Sequence, residues 1–260
     1  MFKRNGDFMK ILIPQNIYSA IFAMSLPDEM KKNVEVKPSS VICNELEKDA
    51  DAVGLMPSMD LFKHKDLFVS SKLGISFDGV LSNTYIYFEP DQLDFKELFL
   101  RGDVSTNEII LSKILFSEKY ARDVNVVLDT QDVDFDNNNY IIVGNENLDY
   151  NPIDKGMSFA DQIASLIDYP YVNFVLASKN EGNIIELEQT LVELDKKIED
   201  NIETYLSKIE LKDNLYDAIV AELGSVYFEM TINEKEALAE LLHLPFYRGI
   251  FDEIIDLKFV

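Results

Sequence analysis

The feature that most constrains the fold is an alternation of short apolar runs with amphipathic segments in the first 57 residues. The predicted strands are "MKILIP" (9–14), "NVEVKP" (33–38) and "DAVGLMP" (51–57), and the predicted helices are "SAIFAMSL" (19–26) and "SSVICNELEKDA" (39–50). Ser39 or Ser40 is suited to cap the second helix, because a Ser hydroxyl accepts a hydrogen bond from a free N–H of the first turn. Strand–helix–strand–helix–strand order predicts an α/β fold with a largely parallel sheet covered by helices.

The alternation continues to residue 178, and helical patterns follow it. Further strands are predicted as short pieces within 65–77 and at 84–88, 124–128, 139–147 and 171–178, with helices at 105–121 and 158–167. Ser105 or Thr106 is suited to cap the helix at 105–121, with Glu108 in its first turn. The remaining chain predicts one long amphipathic helix at 184–210 and further helices at 214–225 and 232–244.

Two apolar strands, 84–88 and 171–177, are placed to connect two halves of the chain. The predicted organisation is two α/β lobes, one formed by 9–86 with 178–260, including the C-terminal helices, and the other by 87–177. Ligands of such folds bind in the crevice at the strand ends, facing helix N-termini.

Charge and composition exclude several classes of function. Lys and Arg total 24 and Asp and Glu total 47, a net charge of -23, which argues against nucleic acid or an anionic membrane as partner. The single cysteine, Cys43, excludes an intrachain disulfide, and His64 and His243 lie far apart, so we expect no cysteine or histidine metal site; that no organic cofactor is needed is implied only by the family resemblance described below. No run of 18 apolar residues is present and the N-terminus does not resemble a signal peptide, which favours a cytoplasmic protein.

The stretch "GISFDGVLSNTYIYF" (74–88) places a turn-prone row of hydroxyls and amides immediately before a strand. One interpretation is a loop. The other is a binding site for a small anion, held by neutral donors because the chain as a whole repels anions.

The order of these segments resembles the chorismate dehydratase family of the futalosine pathway of menaquinone biosynthesis, whose fold is periplasmic-binding-protein-like, type II. The resemblance covers most of the chain and rests on "DAVGLMPSMDLFKHKDLFVSSKLGISFDGVLSNTYIYF" (51–88), "DVSTNEIILSKILFSEKY" (103–120), "NYIIVGNENL" (139–148) and "SFADQIASLIDYPYVNFVLAS" (158–178). It implies two crossover strands and C-terminal helices.

The site motifs match the family only in part. Of the N-terminal Tyr-Leu-Asn-Thr/Ser-x-Pro motif, Ser19 fits, and Asn16 can replace the Asn if the loop is shifted by two residues. The Ser of the Gly-x-Val-x-Ser-Val segment falls on Asn83, beside Ser82, and Asn145 replaces the Asp of Gly-Asp-x-Ala. The differences lie at positions that the resemblance places against the ligand.

The resemblance implies a lyase that removes water from chorismate to give 3-[(1-carboxyvinyl)oxy]benzoate. Aromatisation supplies much of the driving force, so hydroxyls, amides and backbone N–H groups are sufficient to hold the small anionic substrate. The implied catalytic residues are Asn16, Ser82 and Asn83, and the implied substrate-binding residues are Ser19, Ser58, Ser76, Gly79, Ser105, Thr106, Gly144 and Asn145.

Each candidate also has a structural interpretation. Ser58, Ser105 and Thr106 are ordinary helix caps, the two glycines supply positive φ, and the asparagines are turn residues. Glu146 is the carboxylate nearest a predicted strand end and is either a base or a surface residue. The alternative to the enzyme is a non-catalytic binding protein for a small carboxylate, and a third possibility is an acidic scaffold that binds another protein.

Overall fold

The computed structural model of the chain describes residues 9–90 and 95–260. The strands are β1 (Lys10–Pro14), β2 (Val34–Lys37), β3 (Ala52–Pro57), β4 (Phe68–Phe77), β5 (Thr84–Tyr87), β6 (Glu97–Gly102), β7 (Asn125–Leu128), β8 (Tyr140–Val143), β9 (Met157–Ser158), β10 (Tyr171–Ser178), β11 (Val226–Glu229) and β12 (Lys258–Phe259). The helices are α1 (Ile17–Met24), α2 (Asp28–Lys31), α3 (Ser39–Lys48), α4 (Thr106–Tyr120), α5 (Pro152–Lys155), α6 (Phe159–Ile167), α7 (Glu181–Thr190), α8 (Leu194–Leu206), α9 (Asp213–Glu222) and α10 (Ile232–Tyr247). Three 3₁₀ helices cover Ser58–Phe62, Gly144–Asp149 and Leu223–Ser225.

The larger of two sheets has the strand order β11-β4-β10-β3-β1-β2, and β12 pairs with β4. β1 is parallel to β2 and β3, as predicted, but β10 is antiparallel to both β3 and β4. The reason is that β4 leaves this sheet at Phe77 and β10 returns at Tyr171, which pairs with Phe77. The sheet is therefore mixed, and the prediction of a largely parallel sheet was wrong.

The second sheet has the order β7-β6-β8-β5-β9. The chain passes between the sheets twice, once through residues 78–83 and once through α6 and the residues that follow it. β5 pairs within the second sheet and β10 within the first. The division of the chain into lobes at residues 86 and 178 stays a prediction.

Three local predictions need correction. The helix predicted at 184–210 is two helices, because Leu191 has a non-helical backbone and Glu193 is left-handed, with φ 52°. The strands predicted as short pieces within 65–77 form one strand, β4, and β11 lies where the sequence analysis placed no element. Neither Ser39 nor Ser40 caps α3, which begins after Pro38.

Central strands β3 and β10 are buried along their whole length, which explains why apolar residues dominate both, although β10 also buries Asn173 and Ser178. Ser105 is the N-cap of α4 and forms a capping box with Glu108. Of the two predicted alternatives, Ser105 and Thr106, the first is therefore confirmed. Among the residues with described structure, no helix has both the length and the apolar character needed to span a bilayer.

Candidate functional site

A small cavity lies between the two sheets, where the first turn of α1 faces residues 82–85 and the 3₁₀ helix at Gly144–Asp149. Its lining residues are Asn16, Ile17, Tyr18, Ser82, Asn83, Tyr85, Gly144, Asn145, Asn147, Leu148, Pro152 and Leu215. The volume is about 20 Å³, which is room for about one water molecule. A larger ligand therefore requires the two sheets to move apart.

The N-terminus of α1 opens into this cavity. Asn16 is the N-cap, and its Oδ1 accepts the N–H of Ser19 at 2.8 Å. Its Nδ2 is buried and has no hydrogen-bond partner within the described parts of the chain. Ile17 and Tyr18 carry the first two N–H groups of the helix, which have no acceptor four residues earlier. A helix start of this kind attracts negative charge.

Ser82 and Asn83 face the same cavity from the loop before β5. The Ser82 Oγ accepts the N–H of Thr84 at 3.1 Å and the N–H of Ala160 at 3.2 Å, so its own O–H is left to donate. Asn83 is 5% exposed, and its Oδ1 is buried without a partner in the described chain. Hydrogen-bonding groups in this state favour a polar ligand, because a buried polar atom without a partner is costly.

Gly144 and Asn145 complete the polar wall at the end of β8. Gly144 has φ 70°, and a Cβ at this position would lie 3.0 Å from the carbonyl oxygen of Gln15, so the close approach of the two sheets requires glycine. Its N–H donates to the carbonyl of Asn83 at 2.8 Å. The Oδ1 of Asn145 is a further buried acceptor that no described residue satisfies.

The rest of the wall is apolar or phenolic. Burial, and next the neighbouring Tyr85, raise the pKa of Tyr18, and burial raises the pKa of Tyr85, so both phenols stay neutral at physiological pH. The Tyr85 O–H donates to the carbonyl of Val80 at 3.2 Å. Leu215 of α9 and Pro152 close the cavity on the far side.

Asn147 and Leu215 line the cavity but were not predicted as site residues. Asn147 Nδ2 donates to the carbonyls of Ile142 at 2.7 Å, Gly144 at 3.2 Å and Asn83 at 3.3 Å, which fixes the turn that carries Asn145. The sequence signal that could have identified Asn147 is its position three residues after Gly144, which was itself a predicted site residue. Leu215 lies more than sixty residues from any other lining residue, and no local pattern marks it.

Three of the predicted binding residues lie outside the cavity lining: Ser105 and Thr106 at the start of α4, and Ser58 in the 3₁₀ helix that contacts it. The Oγ of Ser58 donates to Asn107 Oδ1 at 3.4 Å, and Ser105 Oγ donates to Glu108 Oε2 at 2.7 Å. The hydroxyl of Thr106 donates to a carboxylate oxygen of Asp60. These hydroxyls have partners inside the protein, but of the three residues interpreted as helix caps only Ser105 is one; Ser58 and Thr106 are the first residues of their helices.

The other predicted residues away from the cavity lining are Ser19, Ser76 and Gly79. Ser19 lies one turn into α1, and Ser76 lies in β4, opposite Val172 and Tyr227. Both hydroxyls are buried and have no hydrogen-bond partner among the described residues. The carbonyl of Gly79 accepts the hydroxyl of Ser158 at 3.1 Å, which joins the two chain segments that pass between the sheets.

The cavity is lined by neutral groups, and their chemistry is hydrogen bonding. Its described lining includes no Lys, Arg, Asp or Glu. Glu146, the candidate base, is held by Arg101, whose Nε donates to it at 2.7 Å, and is not a lining residue. No group of three or more His, Cys, Asp or Glu residues suited to a metal ion occurs in residues 9–90 and 95–260.

Comparisons with known proteins identify the fold. No family model and no curated protein sequence matches the chain. A Parabacteroides distasonis protein described as an ABC transporter has a TM-score of 0.63 and 14% identity, with 98% of this chain and 99% of that chain covered. The Candida albicans CA3427 gene product, described as having the generic periplasmic binding protein fold, has a TM-score of 0.57 and 10% identity, with coverage of 95% and 92%.

The alkanesulfonate-binding protein SsuA of Xanthomonas axonopodis pv. citri, solved with bound MOPS, has a TM-score of 0.57 and 9% identity, with 98% of this chain and 99% of that chain covered. At these identities the likeness shows the fold alone. The predicted α/β architecture is confirmed, and this chain has the periplasmic-binding-protein-like fold.

Proposed function

We propose that this chain binds a small carboxylate in the cavity between its two sheets. The observation that carries the proposal is the N-terminus of α1, where Asn16 is 5% exposed and its Nδ2 donor has no hydrogen-bond partner in the described chain. A carboxylate there accepts the N–H groups of Ile17 and Tyr18 and the Nδ2 of Asn16. Both the predicted enzyme and the predicted binding protein share this step.

The second candidate function is dehydration of chorismate, which the resemblance of residues 51–88 to the chorismate dehydratase family favours. The reaction removes the C3 proton and the C4 hydroxyl, which leave together as water, and the electron pair of the C3–H bond becomes the third double bond of the new aromatic ring. In this candidate, Asn16 and the Ser82 O–H stabilise the charge that spreads into the ring carboxylate. The absence of charged groups from the described cavity lining agrees with a reaction driven by aromatisation.

The first test is a thermal-shift and calorimetry experiment with benzoate, 3-hydroxybenzoate and chorismate. Binding in the cavity raises the melting temperature of the wild type, because the ligand stabilises the folded state alone. Asn16→Asp keeps the oxygen that accepts the N–H of Ser19 and replaces the Nδ2 donor by a carboxylate oxygen, so it should weaken carboxylate binding by at least about tenfold. The matched control, Asn137→Ala, removes an exposed asparagine of the second lobe and should bind as the wild type does.

Each outcome decides between the candidates. Formation of the aromatic product, followed by ultraviolet absorbance, supports the lyase, and binding without product supports the non-catalytic binding protein. The proposal of a carboxylate site is wrong if none of the three ligands shifts the melting temperature, or if Asn16→Asp and Asn137→Ala bind equally well.

A further inference from the structure

Two other helices have N-termini close to the cavity, and in each case the chain's own carboxylates occupy the helix start. At α3, the N–H and Oγ of Ser39 donate to the two carboxylate oxygens of Asp103, at 2.8 and 2.6 Å. Asp103 follows β6 of the second sheet, whereas α3 covers β1 and β3 of the first. The contact therefore joins the two halves of the molecule.

Asp103 lies beside the polar wall of the cavity. A Cβ placed on Gly144 would lie 3.4 Å from the Cβ of Asp103. Gly144 itself lines the cavity. Asp103 therefore packs behind Gly144, between the cavity wall and the start of α3.

At the start of α4, too, carboxylates of the chain accept hydrogen bonds. Asp60, 5% exposed, accepts the hydroxyl of Thr106, and Glu108 accepts the N–H of Ser105 at 2.9 Å. Of these three helix starts, only that of α1 lacks an internal carboxylate: no hydrogen bond from the N–H of Ile17 or Tyr18 occurs within the described residues. The unpartnered Nδ2 of Asn16, the N-cap of α1 and a residue of the cavity lining, lies at this same free start.

We infer that Asp103 is a specificity-determining residue that restricts the cavity to ligands with a single carboxylate. The inference rests on the proposed carboxylate site. Ligand entry parts the two sheets and separates Asp103 from Ser39, and closure brings Asp103 back to α3. A second ligand carboxylate near α3 would compete with Asp103 for the donors of Ser39 and would face its negative charge with no Lys or Arg in the described cavity lining.

The test compares 3-hydroxybenzoate with isophthalate, two ligands that share a benzene ring and differ in a second carboxylate. Calorimetry on the wild type should give at least about tenfold weaker binding of isophthalate, since like charges at a binding site cost several kcal/mol. Asp103→Ala removes the competing carboxylate and should bring the two affinities to within about threefold of each other. Asp136→Ala, at an exposed acidic residue, is the matched control and should keep the wild-type ratio.

A second variant guards against misfolding of Asp103→Ala. Asp103→Asn keeps an acceptor for Ser39 and removes the charge. The ratio of its affinities for the two ligands should therefore lie between the ratios of the wild type and of Asp103→Ala. Circular dichroism of each variant establishes that it is folded.

The inference is wrong if the wild type binds isophthalate as tightly as 3-hydroxybenzoate, or if both Asp103 variants keep the wild-type ratio. It is also wrong if chorismate, which carries two carboxylates, binds the wild type more tightly than 3-hydroxybenzoate, a result that supports the lyase candidate. Failure of all these ligands to bind any variant overturns the carboxylate site itself, which separates the two failures.

Discussion

At the scale of single residues, Asn147 connects four groups around the cavity through one side-chain amide. Its Oδ1 accepts the hydroxyl of Tyr87 at 3.1 Å, and its Nδ2 reaches the carbonyls of Ile142, Gly144 and Asn83. Asn147 is 3% exposed, so Asn147→Ala leaves these groups buried without their partner. We expect the free energy of unfolding to fall by about 2–3 kcal/mol.

Urea denaturation of Asn147→Ala beside Asn137→Ala measures this effect. Asn137 donates to Asp134 on the exposed surface, and its truncation should change the free energy of unfolding by less than about 0.5 kcal/mol. Equal effects of the two substitutions would show that the network around Asn147 does not hold the cavity wall.

At the scale of elements, α8 is joined to the edge strand β11 by a carboxylate. Asp195 Oδ1 accepts the N–H of Phe228 at 2.6 Å. Burial raises the pKa of Asp195 to about 6, although the Phe228 N–H opposes the shift, and the nearby Glu229 adds to it. The proton is therefore bound more tightly in the folded chain than in the unfolded chain, whose carboxyl has the ordinary pKa of about 4.

The sign of the pH dependence follows from this difference. The stabilisation by the bound proton is complete below about pH 4 and is lost as the pH rises through about 6. The stability of the wild type relative to Asp195→Asn, which keeps an acceptor but does not titrate, should rise by about 1 kcal/mol from pH 7 to pH 5. Asp200→Asn, on the exposed side of α8, is the control, and a pH-independent difference for Asp195→Asn would contradict the assignment.

The elements also show what the sequence predicted and what it did not. Strand–helix alternation and the capping box at Ser105 are local patterns, and most of these elements formed where they were predicted, although the strand predicted at 139–147 ends at Val143 and a 3₁₀ helix follows it. The break at Glu193 has no local signal, because glutamate rarely adopts positive φ and favours helix. β11 was missed because "VYFE" is short and lies between two helical patterns.

The site was predictable to the extent that it depends on strand ends. Asn16, Ser82, Asn83, Gly144 and Asn145 each follow or precede a strand, and the structure brings all five to one cavity. The partners of the remaining candidates depend on how the two sheets face each other. That orientation also sets the contact of Asp103 with Ser39, and no pattern within one segment encodes it.

At the scale of the whole molecule, the net charge of -23 acts against the compact state, because 47 acidic residues are brought together with 24 basic ones. Salt shortens the range of this repulsion from about 30 Å at 0.01 M to about 10 Å at 0.1 M. We expect the melting temperature to rise by a few degrees over this range. Sorbitol of equal osmolality is the control, and a melting temperature that falls or stays constant with salt would contradict the prediction.

Two hydrogen bonds join the segments that run between the sheets. The hydroxyl of Ser158 donates to the carbonyl of Gly79, and the N–H of Ala160 donates to the Oγ of Ser82. Two neighbouring chain segments that are hydrogen-bonded to each other resist sliding and twisting, but they permit bending about one axis. The two sheets are therefore expected to open by a hinge motion about an axis through these two segments, with the largest separation at the edge farthest from Gly79. An insertion in one segment alone would rotate the two sheets relative to each other. Equal insertions in both segments would leave the hinge axis in place.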